Sequence, residues 1–326
     1  MNYRLLYKLY ISNKNMERII KLADLEKAVD EVYRQFKDDN EGEIDTRVSD
    51  ADPNSFGISV TLTDGTVISR GDTEVKSAMG AISKIPGSVL LLSQLSKPDE
   101  LVEKMGCCCK AKSSCGRKPE IPVNARGVRM VSAIQPTGDS DGKWDLIINN
   151  MINLMGSAPE LDDKLYESLT KANKDANVEN VLAEAEYYLY DNAPIAIDIY
   201  TRMISLKASA SQMSAMAATI AADGLNPLNG NEVFDGSLSS RAVALMAGHG
   251  PHRMNAPWLF RSGIPAKRSF AGGMCGVFPG AFGIAAYSPL LNPVGIPVRA
   301  AKSIATLVTD KLGISVFGSA RVRFEK

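Results

Sequence analysis

The stretch Ala81-Ile82-Ser83-Lys84 places a lysine three residues after an alanine. On a helix, positions three or four apart share a face. With serine at position 81 the spacing would read S-x-x-K, an amine beside a hydroxyl that it can deprotonate. This chain has the amine and carries a methyl group where the hydroxyl would be. A methyl cannot attack a carbonyl, so no acyl intermediate can form at residue 81. Ser83 is the nearest hydroxyl. Adjacent helical residues point ~100° apart, so it should face away from the side chain at 81. Ser168-Leu169-Thr170-Lys171 repeats the spacing in a charged segment, where so short a pattern arises by chance.

His249 and His252 are the only histidines and share one Gly/Pro loop. Such a pair could bind metal or exchange a proton near neutral pH. Cys107, Cys108, Cys109 and Cys115 crowd together, with Cys275 far away. Consecutive cysteines do not easily ligate one metal, and no C-x-x-C pair is present. The cluster reads as reduced thiols in a loop. A metal site completed by Cys275 or a histidine, or redox sensing, are the other readings.

The surroundings of these residues are those of a soluble globular chain. Lys+Arg and Asp+Glu both number 37 among 326 residues, and hydrophobic residues make up 45%. Zero net charge and the lack of any dense basic run argue against nucleic acid or an anionic membrane as partner. The first 16 residues are broken by Arg4, Lys8 and Lys14 and do not form a signal peptide. No uncharged apolar run reaches the ~18 residues of a membrane span. The expected location is the cytoplasm.

Elements must position Lys84. Leu25, Val29, Val32 and Phe36 predict an amphipathic helix over 16–38, and 39–54 reads as loop. Ile58–Leu62 and Val67–Ser69 flank a Thr63-Asp64-Gly65-Thr66 turn and predict a hairpin. Pro86 suits a first helical turn, so a helix should start near Ser83 and run through Leu92, buried on all sides. Pro98-Asp99-Glu100 opens a short helix. Trp144 to Met155, Val181 to Tyr190, Pro194 to Leu206 and Gln212 to Ala222 predict four more. Gly156 and Gly224 stop the first and last of them, and Ser209 or Ser211 caps the last. Strands are expected over 272–278 and 282–288, and a final helix over 298–312. The order implies an α+β fold built from both chain ends with a helical insert.

Several segments together resemble the serine-dependent glutaminases, which share the β-lactamase-like fold of serine β-lactamases and penicillin-binding proteins. Gly224-Leu225-Asn226-Pro227-Leu228 is similar to that family's G-x-N-P loop. Gly263-Ile264-Pro265-Ala266-Lys267 is similar to its G-L-P-A-K segment, and Gly283 to Asn292 to its closing strand. The resemblance covers residues 20–315. It implies an antiparallel sheet flanked by helices plus a helical subdomain. Residues 1–97 and 225–326 would form the α/β part and 98–224 the helical one. It further implies hydrolysis of glutamine to glutamate and ammonia, with no cofactor or metal, a small amino-acid-like ligand, and a homodimer or homotetramer.

The resemblance also places the site. The family's S-I-S-K falls on Ala81-Ile82-Ser83-Lys84, and its N-A-G-A on Asn124-Ala125-Arg126-Gly127, keeping Asn124. Its S-E pair falls on Ala172-Asn173, with a following Asn kept as Asn180 and a Tyr as Tyr200. Its G-M-Y becomes Gly250-Pro251-His252, and K-S-G-V becomes Lys267-Arg268-Ser269-Phe270. Expected catalytic groups are therefore Lys84, Tyr200 and His252. Expected substrate contacts are Ala81, Asn124, Asn173, Asn180, Arg268 and Phe270. Lys84 reads either as an amine base or Schiff-base former, or as a scaffold lysine bonding Asn124 or a helix end. Arg126, Arg253 and Arg268 adjoin the expected site and have no counterpart in the family pattern. They read as a pocket for a more anionic ligand, or as solvated surface arginines. Three functions follow from this pattern: amide hydrolysis without the serine, changed chemistry on a small anionic or amino-acid-like substrate, or a binding-only pseudoenzyme.

Overall fold

The computed structural model describes residues 17–105, 121–251 and 255–325. The expected first helix is shorter than its apolar pattern suggests. Strand β1 (Glu17–Lys21) precedes helix α1 (Leu22–Phe36), which buries Leu25, Val29 and Val32. β1 pairs in parallel with the last strand, Glu17 opposite Arg321 through Lys21 opposite Glu325. That pairing is between chain ends, so no local pattern announces it. The stretch expected to be loop contains β2 (Glu43–Ile44) and a 3-10 turn, Thr46–Val48. β3 (Gly57–Leu62) and β4 (Val67–Gly71) form the expected hairpin. β5 (Ser77–Ala78) then leads through a 3-10 turn, Gly80–Ser83, into helix α2 (Lys84–Gln94).

The middle of the chain is helical: α3 (Glu100–Lys104), α4 (Ala125–Ala133) and α5 (Ser140–Met155), the last closed by Gly156 at φ +78°. After β6 (Glu160–Leu161) come α6 (Asp163–Asp175) and α7 (Val178–Glu184). α7 ends well before Tyr190, where the sequence pattern placed its end. Glu186 takes φ +49°, a left-handed conformation that stops a helix, and the Tyr187 N–H returns to the Leu182 carbonyl at 2.9 Å. α8 (Ala193–Ser205) and β7 (Leu206–Ala208) lead to α9 (Ala210–Ala221). Ser209 caps α9 reciprocally with Gln212, at 3.1 and 3.0 Å. Two helices occupy the Gly/Pro-rich stretch that local pattern left unassigned: α10 (Ser239–Gly248) and α11 (Asn255–Ser262). β8 (Ala266–Arg268), β9 (Gly273–Phe278), β10 (Phe282–Tyr287) and β11 (Leu290–Leu291) follow. α12 (Val298–Ala305) continues as a π-helical turn, Thr306–Lys311, and β12 (Arg321–Glu325) ends the described chain.

The central sheet is five-stranded and antiparallel, in the order β4-β3-β10-β9-β8. Both its faces are covered, which explains why β3, β9 and β10 are buried at every residue. α9 packs on one face against β10, β3 and β9. Its alanines and Gly283 allow close approach, since a Cβ at Gly283 would stand 2.5 Å from the Ala217 carbonyl carbon. Beyond α9 lies the larger apolar core, built from α2, α4, α5, α6 and α8. The opposite face carries a second core, from α1, α12 and the π turn. Arg299, fully buried on α12, donates to the Ser288 hydroxyl and to carbonyls of Lys37, Pro53, Asn54 and Ser55. Those acceptors satisfy a buried cation and tie down the chain that enters β3.

Candidate active site

The 3-10 turn sets the geometry between residues 81 and 84. The Lys84 N–H bonds to the Ala81 carbonyl, an i to i−3 bond that brings the two side chains into eclipse. Both side chains are partly buried rather than sealed. Ser83 is fully buried and donates to the Gly80 carbonyl at 2.7 Å, so it does face away. Ser168 and Lys171 are exposed on α6, where Lys171 pairs with Asp175 one turn on. That second S-x-x-K is a surface coincidence.

α8 and β8 pack on the turn, and α4 packs on α8. Asn124 caps α4, its Oδ1 accepting from the Gly127 N–H at 3.2 Å. Tyr200 on α8 lies against the same glycine, because a Cβ at Gly127 would be 2.5 Å from the Tyr200 hydroxyl and closer still to its ring. Tyr200 is only 1% exposed, and burial raises its pKa above the usual tyrosine value. It is held as a neutral phenol. α8 packs on both the 3-10 turn and α4.

Phe270 and Ser269 close the other side. A Cβ at Gly80 would stand 2.7 Å from the Ser269 hydroxyl and 3.0 Å from the Phe270 ring. Gly80 itself sits at φ +49°, where glycine is favoured. Ser269 fixes this contact by donating to the Ala78 carbonyl at 2.5 Å. The Phe270 ring is capped by Arg47, whose guanidinium lies 3.9 Å from the ring centroid. Asp45 holds Arg47 in place with bonds of 2.8 and 2.6 Å. Neither Asp45 nor Arg47 was expected at the site. Their only sequence sign is a D-x-R spacing in a loop.

The other expected residues divide. Asn173 is buried, but its amide nitrogen donates to Thr201 at 3.0 Å, within the contact between α6 and α8. Asn180 is exposed on α7. Arg268 donates to the Val294 carbonyl at 3.2 Å and lies beside Gly295. Burial and then Arg47 lower its pKa. Strand alternation puts Lys267, not Arg268, on the Ser269 side. Lys267 donates to the carbonyl of His249. The His249 imidazole is held below the usual histidine range by burial, and then by the charges of Lys267, Arg126 and Lys84. His249 and Lys267 are thus joined through the His249 main chain.

His252, Arg253 and the cysteines at 107–109 and 115 lie outside the described residues. Cys275 is sealed beneath α9, its thiol pushed up to about 12 by burial and bonded to the Met213 carbonyl at 3.4 Å. Among the described residues there is no group of three or more His, Cys, Asp or Glu that could hold a metal ion.

A constellation of lysine, capped asparagine and buried tyrosine on this sheet can be compared with known proteins. The sequence profile described as Glutaminase matches residues 44–317. The chain belongs to the glutaminase family. A glutaminase of Bacteroides thetaiotaomicron is 37% identical over 314 residues, covering 93% of this chain and 97% of that protein. A glutaminase of Escherichia coli O81 is 30% identical, covering 90% and 97%. Among solved structures, one described as probable glutaminase ybaS superposes with a TM-score of 0.80 at 28% identity, covering 91% of this chain and 99% of that one. The fold also matches a Bacillus subtilis glutaminase, YbgJ, solved as a covalent complex with 5-oxo-L-norleucine. The TM-score there is 0.74 at 21% identity, over 89% and 98% of the two chains. This glutaminase-family member thus has the family's fold over nearly its whole length, with alanine at position 81. Among its described residues, no helix is long and apolar enough to cross a membrane.

Proposed function

We propose that this protein binds glutamine or a close amino-acid relative beside Ala81 and Lys84, and hydrolyses the side-chain amide slowly without an acyl intermediate. The eclipsed Ala81–Lys84 pair carries this reading. Water would attack the amide carbonyl directly, giving up a proton to the Lys84 amine, and ammonia would leave with a proton returned from it. Tyr200, Asn124 and Phe270 would frame the substrate. Losing a covalent nucleophile costs on the order of 10⁴–10⁶-fold in turnover, so the reaction would be slow. One observation favours a second reading, binding with no turnover: Phe270 packs directly on Gly80, beside the reaction position. The family resemblance supports a cytoplasmic homodimer or homotetramer with neither nucleic acid nor membrane as partner. Light scattering that finds only monomer would refute the assembly.

The test compares wild type with Ala81→Ser. Ammonia release from glutamine should be barely above background in wild type and at least about 100-fold faster in the variant. The diazoketone 6-diazo-5-oxo-L-norleucine adds a second readout. A serine oxygen would bond to its diazo-bearing carbon, nitrogen gas would leave, and the hydroxyl proton would end on that carbon. Mass spectrometry should find this adduct on the variant only. Wild type that labels at residues 81–84, or that matches the variant's rate, would sink the reading.

A further inference from the structure

Phe270 occupies the turn between β8 and β9, and its main chain is fixed on both sides. The Ser269 N–H bonds to the Gly273 carbonyl at 2.7 Å, and the Ala271 N–H bonds to the Ser269 hydroxyl at 3.0 Å. Its ring is fixed as well, by residues from two other segments. One ring edge lies against Gly80, the residue before Ala81, where a Cβ would stand 3.0 and 3.1 Å from two ring carbons. The Arg47 guanidinium lies over the ring, 3.9 Å from its centroid. Asp45 takes that guanidinium in a two-bond fork and also accepts from the Arg47 N–H at 3.0 Å. Asp45 follows directly on β2, which pairs with β11, Ile44 opposite Leu290. An arginine side chain 40% exposed would ordinarily sample many rotamers, and this one is held between a ring and a carboxylate.

We propose that Phe270 limits the size of the ligand's side-chain end, and that Arg47, held by Asp45, is a positioning residue that keeps the ring in place. The inference rests on the reading above, that a glutamine-like ligand presents its side-chain amide beside Ala81 and Lys84. Gly80 precedes Ala81, so a ring pressed on Gly80 stands at the edge of the space that the amide would enter. An aromatic side chain free to turn yields to a larger ligand, whereas one closed in by main chain and a pinned cation does not. Phe270 is only partly buried, which leaves some of the ring to meet a ligand. The wall therefore admits a primary amide and turns away one that carries an alkyl group on its nitrogen.

The test is calorimetric titration of the full chain at neutral pH with L-glutamine and with its γ-ethylamide. The two ligands differ only by an ethyl group on the amide nitrogen. Wild type should bind glutamine about ten-fold or more tightly than the ethylamide, the size expected when extra carbons are forced against a wall that does not yield. Phe270→Ala should bring the two affinities within about two-fold, and Phe270→Leu should do so in part. Arg47→Ala should narrow the gap about three-fold or more, and should narrow it no further in a Phe270→Ala background, because it acts through the ring. A merely structural loss at Arg47 would weaken both ligands alike and leave their ratio unchanged. The ratio of kcat/KM for the two amides, read in Ala81→Ser, should follow the same pattern. Comparable binding of both amides by wild type, a ratio unmoved by both Phe270 variants or by Arg47→Ala, or an Arg47 effect that survives in Phe270→Ala overturns the inference. Should Ala81→Ser release ammonia from glutamine while the ratio ignores Phe270, the size limit falls and the proposed function stands. Should neither amide bind and Ala81→Ser stay silent, the proposed function falls and takes the size limit with it.

Discussion

Gly127→Ala sets two physical effects against each other at the site. Glycine in a helix is about 1 kcal/mol less favourable than alanine, so propensity alone predicts a more stable protein. The added Cβ would stand 2.5 Å from the Tyr200 hydroxyl and nearer still to the ring, in a residue only 1% exposed. Ordinary contact needs roughly 1 Å more. The ring, or the packing of α4 on α8, must shift, and overpacking of this kind costs about 1–3 kcal/mol. With the ring this near, the clash belongs in the upper part of that range, about 2–3 kcal/mol, so it should win by about 1–2 kcal/mol. With a urea m value of about 3 kcal/mol/M, the unfolding midpoint should fall by about 0.3–0.7 M. Gly248→Ala is the control, because no described residue lies within 4 Å of a Cβ at that helical position. Its midpoint should stay or rise. In a Tyr200→Leu background the obstacle is gone, and Gly127→Ala should turn neutral or stabilising. A midpoint for Gly127→Ala at or above wild type would refute the placement of Tyr200 against α4, and with it the site's back wall.

The buried pair Lys143–Asp191 is 0% and 3% exposed, so Lys143→Met should cost about 3–5 kcal/mol in denaturant unfolding. Lys143→Met combined with Asp191→Leu should recover most of that loss, since the charge left unpaired is removed. Asp39 and Asp45 have carboxyl pKa values held down by hydrogen bonds from Lys302 and Arg47 respectively. A depressed acid stabilises the fold above its unfolded value of about 4 and loses that contribution as pH falls through its lowered one. Melting temperature should therefore drop below about pH 4, and Lys302→Met should flatten part of the drop. Gly80→Ala forces a side chain to φ +49° and 2.7 Å from the Ser269 hydroxyl, and should destabilise by about 1–3 kcal/mol. A neutral result there would mean that Phe270 does not press on the turn.

What the sequence reading captured is what repeats locally. The hairpin at Gly65, the Gly156 and Gly224 stops and the all-round burial of α2 follow from spacing over a few residues, and the structure keeps them. The β1–β12 ribbon escaped because its partners are some 300 residues apart and its alternation is only five residues long. α7 was overextended because Tyr187 to Tyr190 carry the apolar character of a helix, while the left-handed Glu186 leaves no compositional sign. Period-two reasoning separates Lys267 from Arg268. Ser269 fixes which side of the strand meets the Gly80 turn, and Lys267 shares that side while Arg268 does not. The cationic setting of His249 shows only in three dimensions, since its neighbours come from α2, α4 and β8.

Position 81 can lose its chemistry without disturbing its frame, because nothing that holds the turn uses that side chain. The Met79 N–H bonds to the Leu206 carbonyl at 2.7 Å, Ser83 bonds to Gly80, Lys84 bonds to the Ala81 carbonyl, and Ile82 and Ile85 are buried anchors. Each of these is main chain or belongs to a neighbour. Ala81→Ser should therefore change stability by no more than about 0.5 kcal/mol, and its hydroxyl would project over Lys84 by the geometry of the turn alone. That separation makes a negative result informative. If the variant folds like wild type yet neither hydrolyses glutamine nor takes the diazoketone, the missing nucleophile is not the sole deficit. The fault then lies with the groups that would move the proton or shape the pocket, and Asn173, His252, Arg268 and Phe270 are among the positions where this chain departs from the family pattern.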